Sequence, residues 1–151
     1  MSFFYGSEIY SVDAKGRLNI PSNMRKELSS ADEKTFVAMC SPLRPCIYLY
    51  PKSAWQKFHE KNTNLAIQSD VDDLDAAMWI GEFTQTCSIG AQSKIMLSEK
   101  MLKHANISKE VRIVGSGDRL ILWEPKAYEE FLKSIKDPKS LFGKVFAKNV
   151  D

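Results

Sequence analysis

The run Asp13-Ala14-Lys15-Gly16-Arg17 places two cations on either side of a glycine, between two strand-like stretches. Lysine meets a phosphate as a point charge. Arginine can also make a bidentate contact with a guanine edge in the major groove. Gly16 would let the backbone bend, or come near a phosphate. A two-stranded ribbon is narrow enough to enter that groove. Asp13 does not favour phosphate, so it either accepts the hydrogen bonds that set the turn or pairs with Arg17. Arg25, on a short helix after Pro21, suits a phosphate-positioning role. The plainer reading of these local residues is a solvated hairpin tip.

Little else in the chain suggests chemistry. Cys40, Cys46 and Cys87 are an odd number with no Cys-x-x-Cys pair, which points away from a disulfide framework and from zinc. Cys40 and Cys87 lie in apolar strand-like runs, where cysteine behaves as a small hydrophobe. His59 and His104 fall in amphipathic helical stretches and read as surface or partly packed residues. The acids of Ser69-Asp70-Val71-Asp72-Asp73 sit where a helix N-terminus favours them, without calcium-loop spacing. There is no phosphate loop and no nucleophile elbow. The expectation is a protein that is not an enzyme and takes no cofactor, metal or small-molecule substrate.

These residues must be positioned by a repeated set of elements. Ser7–Val12 and Leu18–Ile20 read as strands around the Asp13–Arg17 turn, and Ser22 reads as the N-cap of a helix to about Leu28. Thr35–Cys40 and Cys46–Tyr50 are strands. A helix carrying Trp55 and Phe58 follows Pro51. The order then recurs. Thr86–Ile89 and Lys94–Leu97 read as strands, and Ser98 caps a helix to about His104. Val111–Val114 and Arg119–Trp123 are strands, and Pro125 opens a final helix with Tyr128 and Phe131. Ser11–Leu18 aligns with Ser88–Ile95, and Leu49, Ala54 and Phe58 align with Leu122, Ala127 and Phe131. This is an internal duplication of a β-β-α-β-β-α unit in an α+β fold. Between the copies, Val71, Leu74, Met78 and Phe83 form an approximate apolar stripe.

The second copy has lost most of the cationic pattern. Asp13 becomes Gly90, Lys15 becomes Gln92, Gly16 becomes Ser93 and Arg17 becomes Lys94. Pro21 becomes Ser98 and Arg25 becomes Leu102. One cation of three survives, without the bidentate geometry of arginine. Any contact with nucleic acid is therefore expected from the first copy, and a scaffold or oligomer role from the second.

The string Tyr5-Gly6 … Asp13-x-Lys15-Gly16-Arg17-Leu18 … Ile20-Pro21 … Arg25 resembles the MraZ family of bacterial transcriptional regulators. Lys109-Glu110-Val111 … Val114-Gly115 and Leu122-Trp123-Glu124 are also similar to that family, so the resemblance runs from residue 3 to about 133. It implies two AbrB-type swapped-hairpin modules in one chain, interlocked as a β-barrel with flanking helices. Residues 1–61 would be the first module with its C-terminal helix, 62–83 a linker and helix, 84–133 the second module, and 134–151 a basic tail. The resemblance implies DNA contact through Lys15, Arg17 and Arg25, with Asp13, Gly16 and Pro21 shaping the turn. Gly90, Gln92, Ser93 and Lys94 would be the degenerate second motif. It further implies a ring-shaped homo-oligomer, an octamer being one candidate size. The ring would bind promoter direct repeats upstream of the division and cell-wall gene cluster. The alternative is an antitoxin-like protein-binding module on the same hairpin fold.

Composition fits this frame without announcing it. The chain has 151 residues, is 44% hydrophobic and 26% charged, and carries 21 Lys+Arg against 19 Asp+Glu, a net +2. So small a charge does not identify a nucleic-acid binder, and a ring would multiply it. The longest apolar runs are about five residues, such as Phe36–Cys40, against the twenty or so a membrane helix needs. The N-terminus does not read as a signal peptide, so a cytoplasmic, nucleoid-associated protein with no membrane partner is expected. In the tail, Leu141, Phe142, Val145 and Phe146 form a helical stripe among lysines. The stripe could dock on the body or a neighbour, or the tail could be a loose basic arm or a frayed terminus.

Overall fold

Thr35–Cys40 is an apolar run bounded by a turn and a proline-containing loop, and it forms a strand that is buried from Phe36 onward. The computed structural model describes residues 3–62 and 70–148. Residues 63–69 of the expected linker and the last three residues of the tail lie outside the described residues.

The first copy comprises β1 (Ser7–Ser11), β2 (Arg17–Asn19), α1 (Ser22–Arg25), β3 (Thr35–Cys40), β4 (Ile47–Pro51) and α2 (Lys52–Lys61). Helix α3 (Val71–Glu82) connects it to the second. That copy comprises β5 (Thr84–Ser88), β6 (Lys94–Met96), α4 (Glu99–His104), β7 (Glu110–Ser116), β8 (Arg119–Trp123) and α5 (Pro125–Ser134). Helix α6 (Pro138–Lys148) closes the described chain. The β-β-α-β-β-α order therefore recurs element for element.

The copies exchange strands. One sheet has the order β1-β7-β8-β4-β3-β5, and β2 pairs with β6 in a separate ribbon, all antiparallel. The first strand of each copy thus pairs with the third strand of the other. In the ribbon Leu18 faces Ile95, and at the sheet centre Tyr48 faces Ile121. Each is paired with its own counterpart in the other copy, so a pseudo-two-fold axis relates the halves through both points. Turn bonds obey it too. Val12 N–H donates to Lys109 O at 2.8 Å, and Ile89 N–H donates to Lys34 O at 2.8 Å.

The described strands do not close into one hydrogen-bonded barrel. β1 and β5 remain the edges of the six-stranded sheet, and the ribbon stands apart from it. The core lies between sheet, ribbon and the short helices. Leu18, Ile20, Met24, Ile95, Leu97 and Met101 fill it from the ribbon side, and Phe36, Ile47, Leu49, Ile113, Leu120 and Leu122 from the sheet side. At roughly 25 cal/mol per Å² of apolar surface, such side chains contribute about 1.5–3 kcal/mol each.

The helices differ from expectation in three respects. α1 ends at Arg25, after which single turn bonds carry the chain to Leu28. Its N-cap is Pro21, with no side-chain cap bond, so Ser22 is not the capping residue. The proline supplies a fixed φ instead. The helix opened by Pro125 is not the last, because Asp137 leads into α6 through its carboxylate on Ser140 N–H at 3.1 Å.

α2 and α5 are held by matching aromatic clusters. Tyr50 lies 5.6 Å from both Trp55 and Phe58, ring centre to ring centre. Trp123 lies 5.8 Å from Tyr128 and 5.2 Å from Phe131. Buried Asp32 anchors the start of α2: its Oδ1 accepts from Ser53 N–H at 2.9 Å and from Ser53 Oγ at 2.5 Å. Its Oδ2 accepts from Ser29 N–H at 2.9 Å and from Ser29 Oγ at 3.2 Å. Burial opposes the charge on Asp32, but the bonds from Ser53 and Ser29 outweigh it and hold the carboxyl below its ordinary range.

Candidate nucleic-acid interface

The Asp13–Arg17 turn is organised by one carboxylate. Asp13 Oδ1 accepts from the N–H groups of Lys15 and Arg17, each at 2.9 Å. Asp13 Oδ2 accepts from Arg17 Nε at 2.7 Å. The backbone closes the loop, with Asp13 N–H on Arg17 O and Gly16 N–H on Asp13 O, both 3.0 Å. Asp13 thus both sets the turn and pairs with Arg17. The Arg17 N–H foremost, with its side chain and the Lys15 N–H, lowers the Asp13 carboxyl to about 2. The Nε bond fixes the guanidinium plane while Arg17 remains exposed. Lys15 is exposed, and its ammonium makes no hydrogen bond among the described residues.

Gly16 faces inward. It is buried, with φ +82°, and a β-carbon on it would lie 2.5 Å from Leu97 O and 3.3 Å from Leu102 Cδ1. Its close approach is to the backbone of the second copy. Of the two roles expected of this glycine, the positive φ fits the bend, and the space beside it is filled by the second copy.

Pairing of β2 with β6 builds a surface that neither strand has alone. Leu18 and Ile95 point into the core, so alternation turns Arg17, Asn19, Lys94 and Met96 to the opposite face. Arg17 pairs with Met96 and Asn19 with Lys94, which sets the two cations at diagonal corners. Asn19 Nδ2 donates to Gln92 O at 2.7 Å, tying this face to the second turn. Asn19 and Met96 were not anticipated as site residues. The alternation of β2 could have suggested Asn19, whereas Met96 needs the tertiary pairing.

Arg25 lies at the end of α1, half-buried, with Nε donating to Ile20 O at 2.9 Å. Pro21 is buried where β2 gives way to α1. The second turn keeps the closing backbone bond but neither the pair of cations nor the backbone path, since two successive residues there have positive φ where the first turn has only Gly16. Gly90 N–H donates to Lys94 O at 2.8 Å, as Asp13 does to Arg17 O. Gln92 and Ser93 adopt φ of 60° and 59°. Position 90 has no carboxylate to orient Lys94.

All three cysteines are buried as free thiols. Burial pushes Cys46 up to about 11 and Cys87 up to about 12. Among the described residues no cluster of three His, Cys, Asp or Glu could hold a metal, and no helix is long and apolar enough to cross a membrane.

The chain matches the family model described as "MraZ protein, putative antitoxin-like" over residues 3–75 and 82–142. Similar curated proteins are each named "Transcriptional regulator MraZ". The one from Sodalis glossinidius is 27% identical over 130 residues, 86% of this chain and 85% of that protein. The one from Proteus mirabilis is 26% identical over the same shares. The one from Escherichia coli K12 is 25% identical over 138 residues, 91% of this chain and 90% of that protein.

Proposed function

The chain belongs to the MraZ family, and on that premise we propose that it is a sequence-specific DNA-binding transcriptional regulator. The observation that carries the reading is the ribbon face on which Asp13 holds Arg17 beside Asn19 and Lys94. A two-stranded ribbon fits the major groove, and an oriented arginine suits a guanine edge. Lys15 and Arg25 contact phosphates and set the register on the duplex. Asp13, Gly16 and Pro21 shape the turn. The second motif, Gly90, Gln92, Ser93 and Lys94, adds one cation and mainly completes the scaffold.

The exchange of strands between copies supports a swapped-hairpin reading, with residues 1–61 and 84–133 as the two interlocked modules, 62–83 joining them and 134–151 following as a basic tail. The operator consists of promoter direct repeats before the division and cell-wall gene cluster, and the protein assembles as a ring that presents several hairpins at once. Each hairpin contact is weak alone, and tethering raises the effective concentration of the next. The site of action is the cytoplasm, at the nucleoid.

Binding of a promoter fragment by Arg17→Ala tests this reading. The variant should bind about 5- to 150-fold more weakly, the usual worth of a bidentate base contact. Undiminished binding would overturn the role of Arg17. The family description favours a second reading, an antitoxin-like module that holds a protein partner. Co-purification of one stoichiometric partner with no promoter affinity would select it.

A further inference from the structure

Two helices present apolar stripes to solvent and carry opposite charge. On α3, Val71, Leu74 and Met78 are 71%, 42% and 57% exposed, while Trp79 and Phe83 on another side pack against the core. From Asp70 to Glu82 there are five acids and no base. On α6, Leu141, Phe142 and Phe146 are 44%, 60% and 64% exposed, and Phe142 stacks on Phe146 at 6.0 Å. From Lys136 to Lys148 there are four lysines and one acid. At 3.6 residues per turn, Lys139 borders the α6 stripe on one side and Lys144 and Lys148 on the other.

We infer that α6 of one copy docks along α3 of a neighbouring copy, stripe to stripe, with the lysines of α6 over the acids of α3. This deepens the self-assembly reading above and rests on it. The helices match in length, 12 and 11 residues, or about 18 and 16 Å at 1.5 Å per residue. Apolar stripes rimmed by charge of opposite sign bury their centre and keep the charges at the rim, where they select the partner. A contact between two different surfaces of the same chain is head-to-tail, so it propagates from copy to copy and closes as a ring when the rotation allows. A single self-complementary stripe would offer a face-to-face dimer instead.

The experiment uses two full-length variants. One carries Asp72→Lys and Asp75→Lys, the other Lys139→Glu, Lys144→Glu and Lys148→Glu. Native mass is measured for the wild type, each variant and their mixture, with far-ultraviolet circular dichroism as a check on folding. The wild type should be assembled and each variant alone should fall to the monomer. Mixed in equal amounts, they should regain the assembled mass, since each then offers the other complementary helices. An assembled single variant overturns the contact and leaves self-assembly standing. Failure of the mixture to recover also overturns it and means that α6 packs on its own chain or on another partner. A monomeric wild type overturns the contact and the ring together.

Discussion

Gly16 and Leu97 lock the two copies together. Leu97 N–H donates to Gly16 O at 3.0 Å, and a β-carbon at position 16 would lie 2.5 Å from Leu97 O. The same contact recurs across the pseudo-axis, where Ile20 N–H donates to Ser93 O at 3.2 Å. The turn proposed to contact DNA is therefore also a joint of the fold.

Gly16→Ala should destabilise the protein by about 2 kcal/mol or more, because both the positive φ and the close approach are lost to a side chain. Ser93→Gly should have the opposite sign, stabilising by up to about 1 kcal/mol, since Ser93 already occupies the left-handed region. Urea denaturation of both variants checks the asymmetry. A stability for Gly16→Ala equal to wild type would refute the packing role.

Removing an acid beside DNA ordinarily strengthens binding, yet Asp13→Ala should weaken it. Asp13 orients Arg17 and holds two N–H groups of the turn, so its loss frees the guanidinium. A cost of about 1 kcal/mol, or roughly fivefold in affinity, is expected. Titration of a labelled promoter fragment at fixed salt measures it. Tighter binding by the variant would show that Asp13 acts only as a repelling charge.

The same carboxylate gives a pH dependence of known sign. Its pKa is lowered to about 2 in the folded state, so its contribution is fully present above the ordinary carboxylate value, near 4, and is lost as pH falls toward 2. A carbon-13 NMR titration of the Asp13 carboxyl should show a midpoint near 2. A midpoint near 4 would mean that the turn bonds do not persist in solution.

Asp32→Ala should cost about 2–4 kcal/mol. It removes the anchor of α2 and leaves the N–H groups of Ser29 and Ser53 without their carboxylate. Thermal melting reports the loss. Promoter affinity measured well below the melting temperature should stay near wild type, because Asp32 lies outside the ribbon.

The three thiols should resist modification in the folded protein. Burial keeps them protonated, and only the exposed thiolate reacts readily. A thiol reagent should label none at neutral pH without denaturant and all three in it.

Much of this molecule was legible in the order of its residues. The duplication shows because apolar and aromatic positions recur with their turns, so Tyr50 and Trp55 predict Trp123 and Tyr128. The Asp13–Arg17 turn shows because its residue types suit a tight loop. Local stereochemistry governs both. The extent of α1 was less legible, since one short turn of helix depends on what packs against Met24 rather than on its own propensity.

What the sequence determined by itself is therefore the repeated elements, the cationic turn of the first copy and its loss in the second. Only the tertiary structure decided which strand pairs with which. Local patterning makes a strand but does not name its neighbour, because pairing is chosen by the burial that the whole fold achieves. That choice placed Lys94 and Met96 beside Arg17 and Asn19 and turned Gly16 toward Leu97. It also left α3 and α6 with apolar faces still uncovered.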